Sequence, residues 1–298
     1  MRTATSGAVV VPHDLSNAST NAAWRAAMVA RDLGLPLLLL HACADRVAAQ
    51  AAAPVLERLA DDIRNRLGVS IELEIPLEDP LAATLRVARE ASLLVIGSRR
   101  GNALRELVFG TPAERLIRMC RVPVLVVKRP VRGSYRRLLV PVALEPQARR
   151  VISAALRLAR APQLEVLHAL DVRDEISMRA FDLSEAQVRQ QRDRSAQRAR
   201  ATLEEMIGQA GATTGDALPC VGFGDAAMVV LARERAMRAE LLVIGKRARS
   251  TLADFFLGSV TQRVLAATRA DVLVLPQERE GRSHGFAAAP RLRADGAR

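Results

Sequence analysis

The chain repeats itself, and that constrains its fold more than any other feature. The stretch "AVVVPHDLSNASTNAAWRAAMVARDLGLPLLLLHA" from Ala8 aligns with "LLVPVALEPQARRVISAALRLARAPQLEVLHA" from Leu138. Each runs through a short apolar strand ending in Pro, a polar turn, a helix, and a second strand ending Leu-His-Ala. Further on, "ASLLVIG" (Ala91) aligns with "AELLVIG" (Ala239), and "VPVLVV" (Val122) with "ADVLVL" (Ala270). A period well above a hundred residues means two copies of one domain, not a solenoid of small units. The offset grows from 127 at His41/His168 to 148 at Gly97/Gly245, so the second copy carries an insertion. The long charged helical segment at about Ser184 to Gly208 is its expected place.

Each copy reads βαβαβαβαβ. Strands are expected at Ala8–Pro12, Pro36–His41, Ser70–Ile75, Ser92–Gly97 and Val122–Val127, then at Arg136–Pro141, Gln163–His168, Gly215–Val221, Glu240–Gly245 and Asp271–Leu275. Short aliphatic runs alternating with amphipathic helices predict an α/β fold with a parallel sheet covered on both faces. The expected domains are 1–130 and 135–276, joined with little slack by "KRPVRGSYRR", and 277–298 lacks periodicity and reads as a disordered tail.

Composition narrows the function. Half of the 298 residues are hydrophobic but only 3% are aromatic, so aliphatic side chains must fill the cores. No apolar run approaches the roughly 20 residues of a membrane helix, and the N-terminus shows no secretory pattern. Three dispersed cysteines without a CxxC, and four histidines without ligand spacing, fit a reduced cytoplasm and argue against a disulfide framework or a metal site. The net charge of +12 is almost all arginine; Lys128 and Lys246 are the only lysines. Those arginines are spread along the chain with few aromatics between them, so solvated helix faces explain them better than nucleic-acid binding. The densest cluster, "RQQRDRSAQRAR" from Arg189, is expected to be an exposed helix surface.

In open α/β sheets ligands sit beyond the carboxyl ends of the strands, where strand order reverses. Three elements of the first copy converge there: Asp14 in "PHDLS" after the first strand, Gly97 ending the fourth, and Gly110-Thr111 thirteen residues on. Thr111 would cap the next helix, whose free N–H groups and positive dipole end attract phosphate.

Together the repeat, these strand ends and "VIG…LGSVTQRVLAATRADVLVL" resemble the universal stress protein family in its tandem, two-domain form. The resemblance spans both halves apart from the termini and the insertion. It implies two flavodoxin/Rossmann-like domains, each a five-stranded parallel sheet in order 3-2-1-4-5. It further implies a cytoplasmic stress-response regulator rather than an enzyme, binding an adenine nucleotide (ATP, with or without Mg) and acting through an unknown protein partner. Members dimerise, often through the last strand, so a homodimer or an internal pseudo-dimer is expected. The family's G-x2-G-x9-G-S/T nucleotide motif maps onto Gly97, Ser98, Arg99, Arg100, Gly101, Gly110 and Thr111, with Asp14 and Ala42 on the adenosine side. The second-half equivalents are Gly245, Gly258 and Ser259.

The match is imperfect. Arg100 stands where the second glycine belongs, with Gly101 one place late, and in the second half Ala248 replaces that glycine and Ala143 replaces Asp14. A glycine needed for close phosphate approach cannot become Arg or Ala without rearrangement. Arg99 and Arg100 can offset the loss by bidentate contact with a phosphate, or Arg100 can plug the pocket. The first half is therefore the expected nucleotide site, and a non-binding scaffold acting through dimerisation and partners is the alternative. Among other residues, Asp79 and Asp225 read as helix N-caps, His41 and His168 as structural groups at equivalent strand ends, and Cys43 as a small buried residue.

Overall fold

The computed structural model describes residues 7–98, 112–158, 163–171, 184–246 and 258–276. All ten expected strands are present: β1 Val9–Pro12, β2 Leu37–Leu40, β3 Ile71–Glu74, β4 Leu93–Gly97, β5 Val124–Val127, β6 Arg137–Pro141, β7 Gln163–Leu170, β8 Leu218–Phe223, β9 Leu241–Gly245 and β10 Asp271–Leu275. Between them run α1 Asn17–Leu33, α2 Arg46–Leu67, α3 Pro80–Ala88, α4 Pro112–Met119, α5 Ala148–Leu158, α6 Glu185–Gln209, α7 Ala226–Met237 and α8 Ser259–Ala267.

The strands form one sheet in the order β3-β2-β1-β4-β5-β10-β9-β6-β7-β8. Each half has the expected 3-2-1-4-5 order, and all pairings within a half are parallel. The halves meet where β5 and β10 pair antiparallel, Val124 opposite Val274, Leu125 opposite Leu273 and Val126 opposite Val272. The expected internal pseudo-dimer is thus built into the chain as a continuous ten-stranded sheet.

Alternation along the strands divides the core into two layers, as period-two geometry requires. Val9, Val11, Leu37, Leu39, Leu93 and Val95 face α1, α2, α5 and α6, whereas Val10, Leu38, Leu40, Leu94, Ile96 and Val124 face α3, α4, α7 and α8. Helix α1 lies close on the sheet because its buried stripe is alanine: Ala22, Ala23, Ala26, Ala27 and Ala30.

The insertion falls elsewhere than expected. The charged helix α6 has 25 residues against 22 in its counterpart α2. Most of the extra length precedes it: 3 residues separate His41 from the Asp45 cap of α2, and 15 separate His168 from the Ser184 cap of α6. Periodicity had drawn attention to the helix, but a helix packed on a sheet of given depth has little freedom to lengthen, and the connection ahead of it does. Its arginine-rich stretch is largely exposed, with Val188, Ala199, Leu203 and Ile207 as the buried positions of the helix.

Polar contacts clasp the two halves. Asp271, the first residue of β10, is 0% exposed. Its carboxylate accepts the backbone N–H groups of Lys128 (2.8 Å) and Arg129 (2.9 Å) and the Tyr135 hydroxyl (2.7 Å), and Arg25 Nε lies 3.4 Å away. The Arg25 guanidinium also stacks over the Tyr135 ring at 4.1 Å and donates to Gly133 O. Asn21 completes the hold on the linker, donating to Arg129 O and accepting from Val131 N–H. The two lysines act reciprocally: Lys128 Nζ donates to Leu265 O and Thr268 O at the C-terminal end of α8, and Lys246 Nζ to Ile117 O and Cys120 O at that of α4. Each ammonium meets the negative end of a helix from the opposite half. Burial pushes both lysines down to about 8.

Removing one partner of a buried charged cluster leaves the others desolvated and unpaired. Asp271→Ala is expected to cost about 3–5 kcal/mol in urea denaturation, and the milder Tyr135→Phe about 2 kcal/mol. A loss below about 1 kcal/mol for Asp271→Ala would show that the aliphatic β5–β10 pairing holds the halves without the clasp.

Candidate functional site

Strands β1 and β4 run side by side, Val9 opposite Leu93 and Val10 opposite Leu94. The chain leaves β1 toward β2 on one side and returns as β4 on the other, so their carboxyl ends flank the reversal point of the first half. Asp14, Ala42, Gly97 and Ser98 lie at this edge. Arg99, Arg100, Gly101, Gly110 and Thr111 lie outside the described residues, as does Ala248; helix α4 begins directly after Thr111 at Pro112.

Gly97 carries a sharp steric requirement. A Cβ there would lie 2.5 Å from Ala18 O and 2.8 Å from Ala18 C, inside the first turn of α1. The glycine is demanded by the chain's own helix before any ligand is considered. At Gly245 a Cβ would meet only the Val151 Cγ2 methyl at 3.0 Å. Ser98 donates its backbone N–H to Val127 O, which ties the first residue of the loop to β5.

Asp14 is exposed, and Ser16, not Asp14, caps α1: the Ser19 N–H donates to Ser16 Oγ at 3.2 Å. Asp14 Oδ1 accepts the Ser16 N–H at 3.1 Å and the Ser16 hydroxyl, and the Asp14 N–H donates to Ser19 Oγ. The carboxylate is thus aimed by the capping turn behind it.

Next to it His13 is 6% exposed. Its Nδ1 accepts the Leu15 N–H at 3.0 Å, which leaves Nε2 carrying the proton, 3.2 Å from the Thr20 hydroxyl. That hydroxyl in turn donates a hydrogen bond to Ser16 O. Burial pushes the imidazole down to about 4, against the raising effect of the Asp14 carboxylate. Leu15 has φ +62° and is 45% exposed. The histidines expected to be structural are so: His41 Nδ1 donates to His13 O (2.7 Å) and His168 Nδ1 to Val142 O (3.0 Å). Asp79 and Asp225 cap α3 and α7, and Cys43 is buried.

The sequence reading singled out Asp14 but missed His13, Leu15, Ser16, Ser19 and Thr20. The signal was present in "PHDLSNAST", where an acid two residues before a capping serine is a common turn, but the left-handed leucine has no sequence signature.

In the second half the equivalent edge is a small open cleft whose walls include Pro141, Ala143, Glu145, Gly245 and Lys246. Glu145 brings a carboxylate to this wall, in the register of Ser16 rather than Asp14. Lys246 lines the cleft too, but its ammonium is engaged by the α4 carbonyls. Gly258 is the N-cap of α8 and makes no side-chain cap, and Ser259 is the exposed first residue of that helix.

A doubly wound α/β half with the strand order 3-2-1-4-5, a glycine ending its fourth strand and a further helix before the fifth is present here twice. Comparison with known proteins gives the family. The profile of the universal stress protein family matches residues 6–128 and 134–276, and the chain belongs to that family. It is 25% identical over 221 residues to universal stress proteins of Mycobacterium tuberculosis and Mycobacterium bovis, covering 70% of this chain and 70% of each relative. Its fold is similar to the crystal structure of a universal stress protein from Archaeoglobus fulgidus (TM-score 0.67, 19% identity, 90% of this chain and 98% of the other). It is also similar to that of a putative universal stress protein from Pseudomonas aeruginosa (TM-score 0.65, 21% identity, 91% and 93%).

Two measurements probe this geometry. Gly97→Ala is expected to destabilise by about 2 kcal/mol or more, and Gly245→Ala by clearly less, because a methyl can shift where a helix backbone cannot. Equal losses would contradict the packing account. For His13, the folded state prefers the neutral ring while the unfolded chain takes up its proton at the ordinary value of 6.5. Stability is therefore full above about pH 6.5 and is lost as pH falls toward about 4. Subtracting the urea midpoints of a His13→Gln variant from those of the wild type across this range isolates the ring, and a flat difference would count against its burial as a neutral group.

Proposed function

We propose that the protein is a regulatory universal stress protein that binds an adenine nucleotide, ATP first among them, at the strand ends of its first half. The observation that carries this reading is the exposed Asp14 carboxylate, held by the Ser16 N–H and hydroxyl just past the carboxyl end of β1, the neighbour of the β4 strand that ends in Gly97. A carboxylate held there suits a ribose diol, which offers two hydroxyl donors to an acceptor-only group. Ala42 would flank the base, and Gly97 to Gly101 with Gly110 and Thr111 would meet the phosphates, helped by Arg99 or Arg100 and by the start of α4. The second half carries Ala143 in place of the acid, which favours a division of labour in which only the first half binds. Nucleotide occupancy would act on contacts to a protein partner, and Mg would accompany the phosphates without a protein site of its own. Catalysis is not part of this reading, and neither is nucleic acid.

A second reading, a scaffold that binds no nucleotide, draws on Arg100 in the motif and on the sheet that already unites both halves. Calorimetric titration separates the two. ATP is expected to bind the full chain with about one site, and Asp14→Ala to weaken it at least tenfold, a loss of about 1.4 kcal/mol. No binding by the wild type, or the same affinity in Asp14→Ala, favours the scaffold.

A further inference from the structure

The two halves carry out a controlled comparison within one chain. Both turn out of a strand through Pro-X-Y-Leu: Pro12-His13-Asp14-Leu15 in the first half and Pro141-Val142-Ala143-Leu144 in the second. Both anchor the X carbonyl identically, to Nδ1 of a histidine at the end of the neighbouring strand. The halves differ in what the X side chain offers. His13 presents an acceptor nitrogen to the N–H two residues on, and Val142 presents none.

The backbone responds accordingly. Leu15 stands in the left-handed region at φ +62°, where among the described non-glycine residues only Arg238 joins it, and its side chain is turned out, 45% exposed. Leu144 is not in that region, and it packs against the core with Val142. A β-carbon makes this conformation costly for leucine, so some interaction must hold it. The hydrogen bond from the Leu15 N–H to His13 Nδ1 acts on the leucine itself, and the second half lacks it together with the Asp14–Ser16 bonds on either side of that residue. His13 is in turn fixed by Thr20, whose hydroxyl donates to the carbonyl of the same Ser16 whose N–H donates to Asp14.

We propose that His13 is a positioning residue of the first-half site: by accepting the Leu15 N–H it holds the Asp14–Leu15 turn open, so that Asp14 and the outward face of Leu15 together meet the nucleoside of the ligand. The proposal rests on the nucleotide reading above and adds to it the group that prepares the acid. An apolar leucine edge beside a carboxylate is complementary to a nucleoside, whose base is flat and largely apolar in its faces and whose ribose carries the donors. The second half, with neither His nor Asp, has lost the two together.

The test joins a structural readout to a binding one. Leu15→Cys reports the exposure of this position by its rate of reaction with a thiol reagent, read as the excess over the parent protein with its three native cysteines. Labelling is expected to be fast in Leu15→Cys and at least fivefold slower when His13→Val is added. His13→Asn, whose side-chain oxygen occupies the place of Nδ1, should restore it. In separate variants without the cysteine, His13→Val is expected to weaken ATP at least tenfold, with His13→Asn within threefold of the wild type and all variants folded by far-UV circular dichroism. Equal labelling in the presence of His13→Val overturns the latch. ATP binding that His13→Val leaves unchanged overturns the positioning role alone. A wild type that binds no ATP overturns the nucleotide reading, and the positioning role with it, even where the labelling rates differ as expected.

Discussion

The rest of the structure depends on the pairing of β5 with β10. Two five-stranded sheets that would each end in a bare edge close on one another there, and the aliphatic pairs Val124–Val274, Leu125–Leu273 and Val126–Val272 are buried on both faces. An unpaired edge strand of such residues would be a site for aggregation, and pairing the two removes both hazards at once. Burial of apolar surface supplies the driving force, while the polar groups at the junction select the register and the partner. Asp271 is the centre of that selection, because a wholly buried carboxylate tolerates only an arrangement that meets its charge.

This junction is symmetric in its backbone and asymmetric in its side chains. The residue of the first copy that corresponds to Asp271 is Pro123, which can make no such cluster. A single covalent linker explains the difference: it passes the junction once, along α1, so only one of the two equivalent positions faces it. Asn21 and Arg25 on α1 then bind linker carbonyls and N–H groups in place of water. The lysines restore a degree of symmetry, each closing the C-terminal end of a helix in the opposite half. In a chain whose positive charge is otherwise arginine, the compact ammonium is used at the two places where a point charge must fit among converging carbonyls.

The two halves also differ at the turn after their first strand. In the first half His13, Asp14, Ser16, Ser19 and Thr20 form a connected network around an outward leucine. In the second, Val142 and Leu144 pack against the core and Ala143 lines an open cleft.

The amino-acid sequence by itself determined the number of strands, the existence of two copies and the place of Asp14 after the first strand, because these rest on local periodicity and on repetition, which are one-dimensional, whereas the strand order within each half was implied by the family resemblance. The helix caps at Asp79 and Asp225 were legible for the same reason: a cap reads only its own next turn. What only the tertiary structure decided are contacts between distant residues. The glycine at 97 serves the backbone of α1 nearly eighty positions earlier, the insertion lies ahead of α6 rather than within it, and Asp271 meets a linker more than a hundred residues away. A left-handed leucine could not be read from "PHDLS" because leucine there has no preference for it. The conformation is supported by a hydrogen bond to a ring that Thr20 holds at Nε2, on a residue whose backbone carbonyl His41 anchors.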